Sequence, residues 1–463
     1  MKRNIHLILG PLLFLAIVLL IPESLLPFAI RGAIGTFLWM TLWWVFTPVH
    51  LTVTAFIPIV VNSLFGFVPV SLILSKYAHT LIILLIGANI ITLSWQATGL
   101  NKRIALKSLS IIGNSVKQQL VVWFMLATVL STFLPNIVVA ATLSPIALSM
   151  LAYVNKGEVK KSLIATNILL AIAWGSGMGG FGTPLGGGMN LVAIGYIEEF
   201  TGSEYLFIDW VIRMMPILAV LTAATIIFML TMKVETPELE GSSTFFKEEY
   251  HKLGKMSREE KFSALLFVIA VLLAFARPLY ATILPSFTPP YAFLTLGLIC
   301  FILPGKMNGR LLTFEYTLPK MSWGLYYLVA GGLALGTFIT KSGTAAWIAS
   351  VIGRFDLSGG LLSIMIFVFL AMLLANISSN TAACSIAIPI VISITSALNL
   401  SPIPYVYVTI VAANCAFILP TSTRAIPVGH GVDAKYMMKN GFKALLICYV
   451  IVCLFGLIFL PML

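Results

Sequence analysis

The sequence predicts an all-α polytopic membrane protein with eleven transmembrane helices, organised as two inverted five-helix repeats. Three observations predict this fold class. Of the 463 residues, 59% are hydrophobic and 10% are charged, whereas soluble domains are about a quarter charged. Apolar runs recur along the chain, and each is long enough to cross roughly 30 Å of hydrocarbon as a helix. The two halves of the chain also match each other at a fixed offset.

The apolar runs give the positions of the spans. The first run, 7–21, is not followed by a small-residue cleavage pattern, so we expect residues 1–28 to hold a retained first transmembrane helix and not a signal peptide. The other spans are expected near 32–48, 51–67, 80–97, 162–198, 210–232, 262–280, 290–304, 323–341, 403–428 and 444–462. The runs 162–198 and 403–428 are interrupted by glycine, proline or polar residues.

Two further apolar stretches, 119–154 and 361–398, break in the middle and are predicted to be re-entrant hairpins. With the amino terminus in the cytoplasm, most Lys and Arg residues lie in cytoplasmic segments, as expected from the positive-inside rule. The net charge of +12 therefore indicates a lipid surface and no nucleic acid. The stretch 101–119 is amphipathic and is expected to lie on the cytoplasmic membrane surface. The stretch 233–261 carries both signs of charge and predicts a solvated cytoplasmic linker.

The linker divides repeat 1, at 29–232, from repeat 2, at 262–463. Four pairs of residues share one offset of 244: Gly87 and Gly331, Gly99 and Gly343, Asn136 and Asn380, and Pro145 and Pro389. Each repeat has five predicted crossings, and because five is odd the second copy is inverted relative to the first. Inverted repeats with interrupted helices at corresponding positions are typical of secondary transporters, which bind their substrate where the breaks meet near the membrane midplane.

Each predicted hairpin has an asparagine at its tip. The tips are Pro135, Asn136 and Ile137 in the first half, and Ser379, Asn380 and Thr381 in the second. Both tips begin a new helical segment, and the free N–H groups of a helix start favour anions. The alternative is that the asparagines only cap their helices, which Asn does well. An asparagine can cap a helix and also bind a ligand. Capping alone does not explain why both halves carry an asparagine at the same position.

The interrupted helices are the predicted partners of the tips. The first break is rich in glycine and contains Gly182 and Thr183, while the second contains Thr421, Ser422 and Thr423 between two prolines. Non-helical backbone at membrane depth is tolerated only where protein or a water-filled cavity satisfies its polar groups. A packing surface of small residues is the alternative for the first break.

Arg424 lies in the second break, and no acidic residue occurs in the breaks or span cores near it. A charge at this depth is expected to face a cavity and to pair with another group. Because a guanidinium can bind a carboxylate through two hydrogen bonds, the sequence predicts that the substrate is this partner. Snorkelling of the side chain toward the cytoplasmic surface is the alternative.

The remaining chemistry-bearing residues give no enzyme signature. The five cysteines lie in apolar stretches without metal-ligand spacing, and the five histidines form no paired motif. We therefore expect no metal site, no cofactor and no enzymatic activity. An anion channel could use the same helix ends, and its turnover rate would distinguish it from a carrier.

The Ser379-Asn380-Thr381 tip, the Thr/Pro stretch about 40 residues after it and the Gly-Gly-x-Gly-Thr interruption resemble the divalent anion:sodium symporter (DASS) family. The resemblance covers nearly the whole chain. It implies transport of Krebs-cycle di- and tricarboxylates, and it implies a homodimer in the membrane lipid. It further implies a scaffold part and a transport part that moves as an elevator, with substrate held between the two tips.

Two departures from the family's sodium-coupled pattern concern its ion sites. Pro135 and Ile137 replace hydroxyl residues at the first tip, and Arg424 puts a cation beside the second ion site that the resemblance implies. Sodium favours hard oxygen ligands. We therefore predict a sodium-independent exchanger of C4 and C5 dicarboxylates, similar to the antiporter branch of the family. The alternative is a sodium-coupled dicarboxylate symporter, because Ser379-Asn380-Thr381 is intact.

Overall fold

The computed structural model describes residues 2–352 and 359–459, and these residues are mainly helical. The helices of the first half are α1 (Lys2–Leu20), α2 (Phe28–Phe46), α3 (Leu51–Thr54), α4 (Ile57–Phe65), α5 (Val70–Leu74), α6 (Thr80–Thr98), α7 (Leu100–Leu109), α8 (Val116–Ser131), α9 (Asn136–Tyr153), α10 (Leu163–Gly179), α11 (Gly188–Thr201) and α12 (Phe207–Leu230).

The second half begins with a helix of the linker and contains one short strand among its described residues. Its elements are α13 (Ser242–Lys252), α14 (Arg258–Phe275), α15 (Arg277–Tyr280), α16 (Pro289–Ile299), β1 (Pro304–Met307), α17 (Phe314–Thr317), α18 (Trp323–Lys341), α19 (Thr344–Ile352), α20 (Leu361–Ile377), α21 (Asn380–Ala397), α22 (Ile403–Asn414), α23 (Ala425–Gly429) and α24 (Ala434–Phe459).

Seven helical stretches in the described residues are long and apolar enough to cross a membrane. They are Phe28–Phe46, Val70–Thr98, Asn136–Tyr153, Phe207–Leu230, Trp323–Lys341, Asn380–Ala397 and Ala434–Ile458. Shorter apolar helices of 10–17 residues accompany them. A polytopic helical membrane protein is therefore confirmed, whereas the count of eleven crossings stays a prediction. The end of the last predicted span, 460–462, lies outside the described residues.

The predicted spans 51–67 and 290–304 are not continuous membrane-length helices. In the predicted span 290–304, α16 has only 11 residues, which is about 16 Å of helix, because the chain turns into β1 at Pro304. In the predicted span 51–67, the helix breaks between Thr54 and Ile57. Pro58 is the second residue of the next piece, and because it has no N–H group it cannot donate to the Thr54 carbonyl and continue the first piece. In both places the prediction of one crossing helix is wrong, because the observed helices are shorter than the predicted spans.

The two predicted hairpins have helices of matched position and length. Helices α9 and α21 each begin at the tip asparagine and each span 18 residues. Each also contains one internal proline, Pro145 or Pro389. Each hairpin packs against the interrupted helix of its own half, α8 along α10 and α20 along α22. The hairpins therefore determine where the tips lie relative to the breaks.

The linker is packed against the first half, so the prediction that it is simply solvated is wrong. The Glu235 carboxylate accepts hydrogen bonds from the Ser162 hydroxyl and the Leu163 N–H at the start of α10. Phe246 of α13 is fully buried and lies 5.9 Å from the ring of Trp123 in α8. The linker therefore covers the base of the first hairpin.

The other end of the linker is fastened to α7. The Arg103 guanidinium donates to the Glu260 carboxylate at 2.7 Å and to the Gly254 carbonyl at 2.8 Å. Arg103 is 8% exposed, and a buried ion pair with several hydrogen bonds fixes geometry more than an exposed pair does. The linker thus bridges α7 and the base of the hairpin.

Candidate functional site

The first tip is built on the amino-terminal residue of α9. Pro135 precedes the helix and Asn136 is its first residue. The Asn136 Oδ1 accepts a hydrogen bond from the Ser131 hydroxyl at 2.8 Å, and its Nδ2 reaches the Gly177 carbonyl at 3.5 Å. Ile137 points outward and is 55% exposed. The hydroxyl absent from positions 135 and 137 is thus supplied by Ser131 at the end of α8.

The glycines of the first break permit close contact between the break and the first hairpin. A Cβ atom on Gly180 would lie 2.6 Å from Asn136 Oδ1, and one on Gly179 would lie 2.1 Å from the Thr128 carbonyl oxygen. Gly182 likewise packs on Thr132. Only glycine lets two segments approach so closely without displacement. The glycine-rich sequence is therefore explained by packing of the break on the tip.

The carbonyl groups freed by the first break are bound by nearby side chains. Asn190 Nδ2 donates to the Gly180 and Thr183 carbonyls at 2.7 and 2.8 Å. The Trp210 indole N–H donates to the Phe181 carbonyl at 2.8 Å. The fully buried Thr183 hydroxyl donates to the Thr132 carbonyl. Thr183 therefore joins the break to the hairpin through its own side chain.

Asn190 has a second polar atom that is not used in this way. Its Oδ1 is buried without a hydrogen-bond partner among the described residues, and the residue is fully buried. A buried acceptor without a partner is unfavourable by roughly 1–3 kcal/mol. This oxygen is therefore available to a cation or a proton donor at the first break.

The second tip makes side-chain contacts with both breaks. Ser379 caps α21 by accepting a hydrogen bond from the Ala382 N–H at 3.1 Å. Asn380 Nδ2 donates to Asn414 Oδ1 at 3.3 Å, and Asn414 ends α22. Thr381 faces Gly188, where an added Cβ would lie 3.1 Å from the Thr381 methyl carbon. The second tip thus lies beside the helix that begins after the first break.

The second break is bound to the end of α20. Asn376 Oδ1 accepts hydrogen bonds from the N–H groups of Phe417 and Ile418 at 3.1 and 2.9 Å. The Thr421 hydroxyl lies 3.2 Å from the Asn376 carbonyl oxygen. Ser422 is exposed and has left-handed backbone, with φ 52°. These contacts stabilise an irregular segment that no helix ladder could satisfy.

Arg424 and Thr423 are buried, at 3% and 5% exposed. The Arg424 guanidinium donates to four oxygen atoms, which together we call the oxygen cage. They are the carbonyl oxygens of Leu419, Ala416 and Ala375, at 2.9, 3.2 and 2.8 Å, and Thr421 Oγ1, at 2.6 Å. No acidic side chain in the described residues pairs with Arg424.

Arg424 therefore has hydrogen-bond partners within the protein, and none of them is acidic. The Ala375 carbonyl lies in the last turn of α20, where the helix dipole gives partial negative charge and favours a cation. The snorkelling alternative also disagrees with the structure, because the side chain bonds inward to the end of α20. Contact of Arg424 with a substrate stays a prediction that is not needed to explain its burial.

The comparisons with known proteins agree with this arrangement. The profile of the citrate transporter family, CitMHS, matches residues 41–412. The chain belongs to this family. The predicted resemblance to the DASS group is confirmed by the same match and by a curated relative, the sodium-dependent dicarboxylate transporter SdcS of Staphylococcus aureus. That relative is 28% identical over 97% of this chain and 90% of its own length.

Two solved structures have a similar fold. They are MtrF of Neisseria gonorrhoeae, from a class of antimetabolite efflux pumps, with a TM-score of 0.54 and 13% identity, and the Alcanivorax borkumensis YdaH transporter, with a TM-score of 0.51 and 12% identity. They cover 84% and 82% of this chain, and the alignments include 83% and 85% of those chains. This citrate transporter family member is thus a multi-pass integral protein of the cell membrane.

The candidate site of this family member includes residues that the sequence analysis did not single out. Ser131, Asn190, Asn376 and Asn414 all bond a tip or a break. Asn89 of α6 faces the first tip from across a narrow cavity that is also lined by Pro135. The asparagines among them could have been found as amides in otherwise apolar helices, because polar residues at membrane depth tend to be functional.

Across residues 2–352 and 359–459, no group of three or more His, Cys, Asp or Glu side chains could hold a metal ion. The polar groups at the breaks are carbonyl, amide and hydroxyl groups together with the Arg424 guanidinium. Their N–H groups suit anions, and their oxygens suit hard cations.

Proposed function

We propose that the protein is a secondary active transporter that exchanges C4 and C5 dicarboxylates across the membrane without sodium. The substrate class comprises 2-oxoglutarate, malate, succinate and fumarate. The observation that carries the proposal is the oxygen cage around Arg424. A family of transporters and a dicarboxylate-transporting relative support the substrate class.

The two halves are proposed to be inverted repeats that form a scaffold and a moving transport part. The equal lengths of α6 and α18, and of α9 and α21, support this division. Helices α9 and α21 begin at residues 136 and 380, which is the offset of the matched residues, and α6 and α18 begin at 80 and 323, one residue short of it. The site lies where tips and breaks meet, as in other transporters with interrupted helices. Elevator movement and assembly as a homodimer belong to the same proposal.

The substrate is proposed to bind between the two tips. Its carboxylates would accept hydrogen bonds from N–H groups at the starts of α9 and α21, where the helix dipole favours negative charge. The Asn136 and Asn380 amides add directed donors at these starts. Both are only partly buried, unlike Thr183 and Thr423, so they are the residues best placed to meet a ligand.

The charge of Arg424 is proposed to take the place of a coupling cation. Its guanidinium occupies a cage of three carbonyls and one hydroxyl, a set of ligands that also suits sodium. Because the cation is covalently attached, it does not leave when substrate leaves. The empty carrier would move an uncompensated charge through apolar surroundings, whereas a bound dianion offsets it. Reorientation then requires substrate, which makes transport an exchange.

A sodium-coupled symporter is the second candidate, and two observations favour it. The curated relative SdcS is described as sodium-dependent. Asn190 Oδ1 at the first break is a buried acceptor without a partner in the described part of the chain. If one sodium site exists, it is expected at the first break near Asn190 and not at the second tip, where Arg424 already holds the oxygens.

Counterflow in proteoliposomes tests the proposal. Vesicles loaded with unlabelled succinate, or with buffer alone, are given labelled succinate in sodium or in choline medium. Exchange predicts rapid uptake only in succinate-loaded vesicles, with equal rates in both media. Uptake into empty vesicles that requires a sodium gradient would establish the symporter instead. A panel of unlabelled dicarboxylates and citrate then ranks the substrates by competition.

A further inference from the structure

Three lysines form a row at the start of α24. Lys435, Lys439 and Lys443 follow one another at intervals of four residues and are all exposed. Side chains four residues apart lie above one another on the same face of a helix. We call these three residues the lysine row. With the amino terminus in the cytoplasm, this end of the last predicted crossing is expected on the cytoplasmic side of the membrane.

The lysine row has an excess of positive charge. No ion pair among the described residues includes any of its members. Asp433 lies just before the helix, and its carboxylate accepts a hydrogen bond from the Lys435 N–H at 3.0 Å. Lys160 lies beside the same turn, because an added Cβ on Gly431 would lie 3.5 Å from Lys160 Cγ. Even with Asp433 counted, positive charge therefore exceeds negative charge along the row.

The helix face that carries the lysine row continues as an exposed apolar face. Four residues after Lys443 comes Ile447, and Val450, Leu454 and Ile458 follow at helical spacing. These four apolar side chains are 37% to 61% exposed. In a helix that crosses the membrane, such a face contacts the acyl chains of lipids. One face of α24 thus changes from cationic to apolar along its length, in the same order as the headgroup and tails of a phospholipid.

The length of the apolar part places Lys443 at the depth of the lipid headgroups. From Ala444 to Phe459 the helix is about 24 Å long, which is most of the roughly 30 Å thickness of the hydrocarbon. A lysine at this boundary directs its charge to the headgroups while its stem lies along apolar surface. The preceding turns, with Lys439 and Lys435, then lie at or above the headgroups.

The opposite face of the same turns is packed against the second break and α10. Gly441 is buried, and an added Cβ there would overlap the Phe417 carbonyl oxygen of the second break. One turn earlier, the Tyr436 hydroxyl donates to Asn167 Oδ1 of α10 at 3.0 Å. The lysine row therefore lies on the outside of a packed helix and not on a free end, so its spacing is fixed before a ligand binds.

We propose that the lysine row and the apolar face after it bind an anionic phospholipid. Lys439 and Lys443 hold the phosphate of the headgroup, and an acyl chain lies along Ile447 and Val450. A soluble anion would use the charge alone, whereas a phospholipid uses both parts of the face. Each lysine near the membrane surface adds to the attraction for anionic headgroups, and salt weakens it. This site does not depend on which substrate the protein transports.

A fluorophore beside the proposed site measures lipid binding independently of transport. The reporter is Leu446→Cys labelled with bimane in the full chain, whose five native cysteines are all buried. Leu446 is exposed next to the apolar face. In phosphatidylcholine nanodiscs, quenching by a small fraction of spin-labelled phosphatidylglycerol is compared with quenching by spin-labelled phosphatidylcholine. We expect the anionic lipid to quench about three-fold more at low salt, and the difference to shrink at high salt.

Lys439→Gln with Lys443→Gln is expected to bring the quenching ratio close to one. Lys439→Arg with Lys443→Arg should retain the ratio, because the charge is kept. The matched control is Lys247→Gln with Lys255→Gln, which removes two exposed linker lysines that have no ion pair among the described contacts. This control should leave the ratio unchanged.

Three results would overturn the proposal. The first is a ratio of one in the unmodified lysine row, or the same fall in the control as in the glutamine variant. The second is loss of the ratio when inorganic phosphate replaces chloride at constant ionic strength, because the lysines would then bind a soluble anion. The third is a reporter that neither lipid quenches, because a protein surface such as a second copy of the chain would then cover this face.

Discussion

The two breaks of this transporter stabilise irregular backbone by different means. In the first break, the neutral amide of Asn190 bonds two carbonyls and glycines allow the tip to approach. In the second, the Arg424 cation bonds three carbonyls and a hydroxyl. Both breaks need hydrogen-bond donors for the carbonyl groups of irregular backbone. A neutral amide provides them in the first break, and a cation provides them in the second. In the proposed exchange mechanism, only the cation of the second break takes the place of a mobile one.

The largest expected effect concerns the charged break. Replacing Arg424 by Ala leaves the oxygen cage without donors, which disfavours the functional structure by roughly 3 kcal/mol or more. We expect exchange in sodium-free medium to fall at least about 100-fold. Added sodium should restore part of the rate, because a hard cation can occupy the vacated oxygens. Counterflow per folded protein, with and without sodium, is the measurement.

Arg310→Ala is the control for this variant, because Arg310 is exposed and its side chain donates to the Phe301 carbonyl. It should exchange at the normal rate. Undiminished sodium-free exchange by Arg424→Ala would contradict the role given to the cation.

In the first break, the neutral side chain of Asn190 is expected to contribute to folding stability. Asn190→Ala removes the donors of two buried carbonyls, and we expect a loss of roughly 2–3 kcal/mol in folding stability. Thermal unfolding in detergent measures this loss. Asn440→Ala, at a partly exposed amide that bonds the Tyr436 carbonyl, should change the unfolding temperature little. Equal unfolding temperatures for both variants would refute the comparison.

The close approach at the first tip can be tested with two glycines of the same break. Gly180→Ala puts a Cβ 2.6 Å from Asn136 Oδ1, whereas at Gly177 an added Cβ meets nothing within 4 Å. We expect Gly180→Ala to reduce exchange about ten-fold by displacing the tip amide, and Gly177→Ala to leave it unchanged. Similar rates for the two variants would show that the tip amide need not be held in place.

The smallest expected effect concerns the hydroxyl at the first tip. Ser131→Ala removes one hydrogen bond to Asn136, which is equivalent to about 1 kcal/mol. We expect KM for dicarboxylate to rise about five-fold while the maximal rate is retained. Ser110→Ala is the control in the same uptake measurement, because this half-buried serine follows α7 and its hydroxyl donates to the Lys107 carbonyl. A KM unchanged in both variants would show that Ser131 does not contribute to substrate binding.

Several parts of the fold and site could be predicted from the sequence because they depend on residue type. The helix starts at Asn136 and Asn380 follow from a polar residue after an apolar run. The first break follows from glycine, which destabilises a helix interior. The family also follows from these motifs, and the profile match confirms it. The two-repeat division and the individual binding residues stay predictions.

Other parts could not be predicted because they depend on backbone groups. Carbonyl oxygens are present at every residue, so no sequence pattern shows that those of Ala375 and Leu419 converge on Arg424. The short α16 was missed for a similar reason, since its apolar sequence continues beyond the helix end at Ile299. The packed linker depends on contacts with distant segments, such as Phe246 with Trp123.

The packed linker has a consequence for the history and engineering of the chain. If two copies of an ancestral unit were once joined end to end, the joining segment has since become part of the first unit's own fold, with Glu235 bonding α10 and Phe246 filling the base of its hairpin. The order of the halves is then no longer interchangeable. A circular permutant that opens at residue 241 would divide this segment and expose Trp123, whereas a chain cut at residue 256 would keep the first unit covered.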